Sequence, residues 1–149
     1  MGMFDSFDIN ASGLTAQRYR MDVIAENIAN ANTTRTENGE PYKRKVVTFE
    51  EKNGGHENFE TIFGRASARF KGHGVKVVGT FEDNITEGAL VYDPSHPDAD
   101  ENGYVKYPNV NIITEMTNLI DASRTYEANA TAFEASKQIA RQGLNLGQN

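Results

Sequence analysis

Asp98, Asp100, Asn102 and Gly103 stand at the first, third, fifth and sixth positions of an EF-hand calcium loop. In that loop alternate oxygen ligands and a glycine bend wrap a hard cation. The rest of the pattern fails: the ninth position is Lys106, the eleventh is Pro108, and Asn109 replaces the closing bidentate glutamate. A loop that loses that carboxylate and gains an ammonium loses most of its cation affinity. The run Asp93-Pro94-Ser95-His96-Pro97-Asp98-Ala99-Asp100-Glu101-Asn102-Gly103 reads instead as a rigid turn, shaped by proline and by Asp and Asn side chains that bond nearby backbone. Of the three histidines, His56 and His73 sit in glycine-rich loops, with no serine or aspartate spaced as a catalytic triad. No glycine-rich phosphate loop follows a strand. With no cysteine in the chain, disulfides, thiolate zinc sites and cysteine nucleophiles are all excluded. No catalytic residue, cofactor-binding residue or metal ligand is assigned, no cofactor is expected, and the chain is expected not to be an enzyme.

The elements that would carry any site follow from the placement of proline and glycine. All four prolines and nine of the thirteen glycines fall between Gly39 and Pro108, so both ends are helix-compatible and the middle is turn-rich. The predicted class is α+β: long N- and C-terminal helices pair as a coiled coil around a small, irregular β-rich middle. The predicted segments are 1–34, 35–108 and 109–149.

In the first segment Phe4, Phe7, Ala11, Leu14, Met21, Ala25 and Ile28 recur at steps of three or four, with one register skipped at Arg18. Asp5 or Ser6 is the predicted cap, and the run Asn30 to Thr34 is the predicted stop. In the last segment the seam reads Ile112, Met116, Leu119, Ser123, Tyr126, Ala130, Phe133, Lys137, Ala140 and Leu144. Asn111 is its predicted N-cap and Gly143 its predicted close. Strands are predicted at Lys45–Phe49, Val75–Phe81, Ala89–Tyr92 and Tyr104–Tyr107, with turns at Asn53-Gly54-Gly55, Gly72-His73-Gly74 and Asn102-Gly103.

Size then constrains function. The chain has 149 residues and suits one domain, with a radius of gyration of about 15 Å if compact. A helix over residues 111–143 would be roughly 50 Å long. Such a helix outreaches the globule, so the ends are expected to complete their packing against other subunits. The subunit-interaction residues predicted on this basis are Phe7, Ala11, Leu14, Met21, Ile28, Ile112, Met116, Leu119, Tyr126, Ala130, Phe133 and Leu144. A coiled-coil hairpin closed within one chain is the alternative.

Net charge is −6, which argues against a nucleic-acid binder relying on a basic field. No stretch is apolar enough for membrane insertion, and the N-terminus lacks the basic start and apolar run of a cleaved signal peptide. Charge is segregated: Phe81 to Gly103 holds seven acids and no Lys or Arg, while Arg35 to Lys76 holds nine bases and six acids. An acidic patch facing a basic one on a neighbouring subunit would help set register.

Asn10-Ala11-Ser12-Gly13-Leu14, followed by Glu26-Asn27-Ile28-Ala29-Asn30-Ala31-Asn32-Thr33, resembles the N-terminal signature of the bacterial flagellar axial proteins, which form rod, hook and hook-associated structures. Val91 to Val105, Pro108-Asn109-Val110-Asn111, and Glu115 to Asn129 resemble the short proximal-rod branch of that family. Residues 50–74 carry no motif of it. The resemblance implies a structural rod subunit, exported unfolded through the flagellar type III channel without a cleaved signal peptide. It implies terminal helices stacked helically around a central export channel, an outward-facing middle, and transmission of motor torque. The implied partners are copies of itself, other proximal and distal rod subunits, a rod–ring adaptor at the base, and the export apparatus in transit. The implied place is the basal-body rod within the periplasm. The competing class is a soluble coiled-coil or β-module adaptor that folds alone and binds a partner.

Overall fold

Asn111 accepts hydrogen bonds through its side-chain oxygen from the backbone N–H groups of Ile113 (3.0 Å) and Thr114 (3.2 Å). These are two of the donors that the first turn of a helix leaves unpaired. In the computed structural model, which describes residues 3–52 and 73–146, this cap starts a helix of 35 residues, Ile112–Leu146. We call it α2; the N-terminal helix Met3–Ala29 is α1. Between them lie β1 (Lys45–Glu51), β2 (Val75–Glu82), β3 (Leu90–Tyr92) and β4 (Tyr104–Lys106). The order and class are those expected, and each predicted strand is present with ends shifted by at most two residues.

Two local predictions fail at helix ends. Asp5 and Ser6 lie inside the first turn of α1 and do not cap it, because the helix already includes Met3. Gly143 does not close α2, which runs on to Leu146; its φ is not positive, unlike those of Gly39, Gly74 and Gly103. A helical glycine costs only about 1 kcal/mol, too little to end a helix already propagated over many turns. The side chain of Phe4, the turn at Asn53-Gly54-Gly55, His56 and Gly72 lie outside the described residues.

The strands pair as two separate two-stranded sheets, β1 with β2 and β3 with β4. Bonds from Asp83 N–H to the Arg44 carbonyl and from Lys52 N–H to the Gly74 carbonyl, both 2.8 Å, bracket the first sheet and show it antiparallel. In the second, Leu90 faces Lys106, Val91 faces Val105 and Tyr92 faces Tyr104. Gly103 (φ 81°) supplies the left-handed turn residue that the Asn102-Gly103 signal predicted.

The chain forms two compact units. The first comprises Met1–Arg18, Phe49–Val78 and Arg124–Asn149. There α1 and α2 run antiparallel: Phe7 meets Phe133 edge-on at 5.2 Å, and farther along α1 Gly13 lies against the side chain of Asn129. The Ser12 hydroxyl accepts the Val75 N–H (3.0 Å) and donates to the Ile9 carbonyl (2.7 Å), pinning the start of β2 to α1. The second unit comprises Tyr19–Thr48 and Gly79–Ser123. Its core is Val23, Ile24, Ala31, Tyr42, Val105 and Ala122, all buried, together with two buried polar residues, Asn27 and Glu115.

Candidate functional site

The most enclosed polar chemistry lies in the second unit, on residues that hydropathy alone would place in solvent. Asn27, near the end of α1, is 0% exposed, and Glu115, in the first turn of α2, is 1% exposed. The Asn27 amide donates to Glu115 Oε2 (3.0 Å) and to the Lys45 carbonyl (2.8 Å). Its side-chain oxygen accepts from the Tyr42 hydroxyl (2.9 Å) and the Lys45 N–H (2.9 Å). The other Glu115 oxygen takes Arg44 Nε at 2.9 Å and Nη2 at 2.8 Å. Every polar atom of Asn27 and both oxygens of Glu115 are thus used, as burial at low dielectric requires. Burial, and then the carboxylates of Glu26, Glu115 and Glu82, push the Tyr42 phenol up to about 12.

A second set of pins continues from this clasp. Asn109 Oδ1 accepts the Arg44 N–H (2.7 Å), and its amide donates to the carbonyls of Asp83 (2.8 Å) and Thr86 (3.0 Å). Asp83 folds the loop beneath by accepting the N–H groups of Ile85 and Thr86 at 3.0 Å and the Thr86 hydroxyl at 2.8 Å. The Thr86 N–H, then the Thr86 hydroxyl and the Ile85 N–H, hold the Asp83 carboxyl below its usual range. Sequence reading missed Asn27, Arg44 and Asn109 as tertiary pins and named Glu115 only as the start of the motif Glu115 to Asn129. The available signal was the concentration of asparagine within the recognised motifs.

The would-be calcium loop is a turn. Asp100 Oδ1 accepts the N–H groups of Asn102 (2.9 Å) and Tyr104 (2.8 Å), Asp93 Oδ1 accepts the Ser95 hydroxyl (2.6 Å), and Asp98 takes the Thr34 hydroxyl (2.8 Å). The Ser95 hydroxyl and then its N–H hold the Asp93 carboxyl low. Asp93 and Asp100 face their own turn and Asp98 faces Thr34 and Arg35, and among the described residues no group of three His, Asp or Glu side chains is arranged to hold a metal. The loop presents one face of the β3–β4 sheet, where Leu90, Tyr92 and Tyr104 are exposed and the two tyrosine rings meet edge-on at 5.3 Å. Val105 on the opposite face is buried.

Of the twelve predicted interaction residues, the structure brings together Phe7 and Phe133. Leu14, Met21, Ile28, Leu119, Tyr126 and Ala130 are half-buried, and Ala11, Ile112, Met116 and Leu144 are exposed. None belongs to the fully buried core, which on the helices is Ala16, Val23, Ile24, Asn27, Glu115 and Ala122. On α2 the reason is geometric. A seam at alternating steps of four and three drifts about 20° per heptad on a straight helix. It starts at Ile112 and Met116, to the side of Glu115, and converges on the packed face only near Phe133. Exposed Ile113, Met116 (54%) and Ile120 (53%) therefore form a stripe along the first turns of α2. No helix among the described residues is long and apolar enough to cross a membrane.

Comparison with known proteins identifies the family. The family profile described as "Flagella basal body rod protein" matches residues 7–35, and the one described as "Flagellar basal body rod FlgEFG protein C-terminal" matches residues 101–146. These spans hold the Ser12 pin, Asn27, Asn109 and Glu115. "Flagellar basal-body rod protein FlgC" of Bacillus subtilis is 44% identical over 99% of this chain and 100% of its own length. The protein of the same name from Borreliella burgdorferi is 41% identical over 99% of both chains. That of Salmonella typhimurium is 39% identical over 99% of this chain and 100% of its own. The chain therefore belongs to the FlgC family of flagellar basal-body rod proteins, and is a structural subunit of the rod and not an enzyme.

Proposed function

We propose that this subunit assembles helically around the export channel and transmits motor torque, through contacts that its own fold leaves open. The observation that carries the reading is the exposed apolar stripe along the first turns of α2: Ile112, Ile113, Met116 and Ile120. Contiguous apolar surface of this kind marks an association face. Each large side chain buried there is worth roughly 1.5–3 kcal/mol. The twelve residues Phe7, Ala11, Leu14, Met21, Ile28, Ile112, Met116, Leu119, Tyr126, Ala130, Phe133 and Leu144 would make or support subunit contacts. In this division of labour residues 1–34 and 109–149 form the stacked inner layer, and residues 35–108 face outward and brace neighbours.

The acidic stretch Phe81–Gly103, with its exposed Leu90, Tyr92 and Tyr104, suits a neighbour with a basic border. The partners are copies of this chain, other proximal and distal rod subunits, the rod–ring adaptor at the base and, in transit, the export apparatus. The site of action is the rod within the periplasm, reached without a cleaved signal peptide. The clasp of Asn27, Arg44 and Glu115 would give each subunit the stiffness that torque demands.

The test is complementation of a motile bacterium lacking its own FlgC with Met116→Asp plus Ile120→Asp. Both positions are exposed in the isolated chain, so the purified variant should keep its helicity and urea midpoint. Cells carrying it should export the protein, build no complete rod and fail to swim. Normal swimming would remove the stripe from the assembly interface.

A further inference from the structure

Helix pairing here has a specificity problem that apolar packing does not solve. α2 presents Leu119, Tyr126 and Phe133 at a seven-residue repeat, amid many alanines. A slip of two turns against α1 would exchange one large apolar side chain of this repeat for the next. Small and medium side chains in such seams specify register weakly. The buried polar groups behave differently. Asn27 and Glu115 are satisfied only when that turn of α2 lies level with that turn of α1, with Arg44 delivered from the start of β1. One turn of slip brings Leu119 opposite Asn27 and strands the Glu115 carboxylate and the Arg44 guanidinium. Uncoupling a buried charge pair shifts an equilibrium on the order of 100-fold or more. Replacing the whole pair with apolar side chains of similar volume is often neutral.

We propose that Asn27, Arg44 and Glu115 are the register-determining residues of this subunit. They fix which turn of α2 meets α1 and reject slipped pairings, while adding little net stability over an apolar equivalent. This goes beyond the rod reading and does not rest on it, since it concerns pairing within one chain.

The chain has no cysteine, so introduced pairs report register directly. A Cβ at residue 13 would lie 3.2 Å from Asn129 Cγ, which suits a disulfide. Gly13→Cys is combined with Asn129→Cys for the native register, with Thr125→Cys one turn away, or with Ser136→Cys about two turns away. The full-length purified protein is equilibrated in a thiol–disulfide buffer and read by mass spectrometry. With the clasp intact, the 13–129 link should dominate the others by about 10-fold or more. In the variant Asn27→Leu, Arg44→Met, Glu115→Leu the helicity and urea midpoint should persist, while the preference falls to within about 3-fold. An undiminished preference would overturn the proposal, because apolar packing would then set the register. Failure of the triple variant to fold would overturn it too, because the clasp would then be a source of stability. A second variant, Glu115→Leu with Leu119→Glu, moves the carboxylate one turn along α2. The favoured partner of Gly13→Cys should move from Asn129→Cys to Phe133→Cys; a link that stays at Asn129→Cys counts against the proposal.

Discussion

Truncating Glu115 to alanine removes one carboxylate and leaves three donors in place. Arg44 loses its bonds at 2.9 and 2.8 Å, and the Asn27 amide loses its bond at 3.0 Å. Breaking a buried ion pair from one side costs about 3–5 kcal/mol. Two features of the structure lower that figure. The Arg44 side chain is 26% exposed and can turn its charge toward water, and the Asn27 amide keeps the Lys45 carbonyl at 2.8 Å. The expected loss is about 2–4 kcal/mol, or about 5–15 °C in Tm for a chain of this size. Urea unfolding followed by far-UV circular dichroism should show the midpoint fall with the slope unchanged, because the native surface is not redrawn. Glu115→Gln, which keeps an acceptor but no charge, should lose roughly half as much. A loss below about 1 kcal/mol for Glu115→Ala would refute the reasoning, since it would mean the carboxylate is already solvated in the native state.

Three further outcomes follow from the same geometry. The raised Tyr42 phenol favours the neutral form in the fold, so its contribution is complete below pH 10, the unfolded value, and is lost as pH rises through about 12; Tyr42→Phe should flatten the alkaline arm of a stability–pH profile. Asp83 is lowered in the fold, so its contribution is present above the ordinary carboxylate range and is lost as pH falls through the depressed value; Asp83→Ala should loosen residues 83–86, read as faster amide exchange at Ile85 and Thr86. At Gly88 a Cβ would run into the backbone carbonyl of Tyr107, which cannot swing aside as a side chain can; Gly88→Ala should cost about 1–3 kcal/mol in urea unfolding, whereas Gly143→Ala, which meets nothing within 4 Å, should be neutral or stabilising.

The layout of the fold was legible because its signals are local. Pro108 and the capping Asn111 mark the start of α2, β-branched residues mark β1 and β2, and Asn102-Gly103 marks the turn before β4. The family was legible through its asparagine-rich motifs. The packed face was not. Periodicity ranks Met116 as core and Glu115 as surface, and the structure reverses them: Met116 is 54% exposed and Glu115 is 1% exposed. A carboxylate becomes buriable only when a guanidinium arrives from residue 44 and an amide from residue 27, and no window along one helix contains that information. On α1 the same limit applies. Ala16, Val23, Ile24 and Asn27 are buried on a side largely opposite Leu14, Met21 and Ile28, and at Asn27 that side is closed by Tyr42, Lys45 and Glu115. The end of α2 was misjudged for an energetic reason, since one glycine penalty is small against a long propagated helix.

The clasp also fixes a schedule. Asn27 and Glu115 are 88 residues apart in sequence, and Ala122, fully buried in the same unit, comes later still. A chain made from its N-terminus carries α1, β1 and β2 for most of its synthesis without the Glu115 carboxylate that the Asn27 amide and Arg44 share. Contacts of such long separation form slowly, after the entropy of closing a large loop has been met. Folding of the second unit is therefore gated by the arrival of the C-terminal helix.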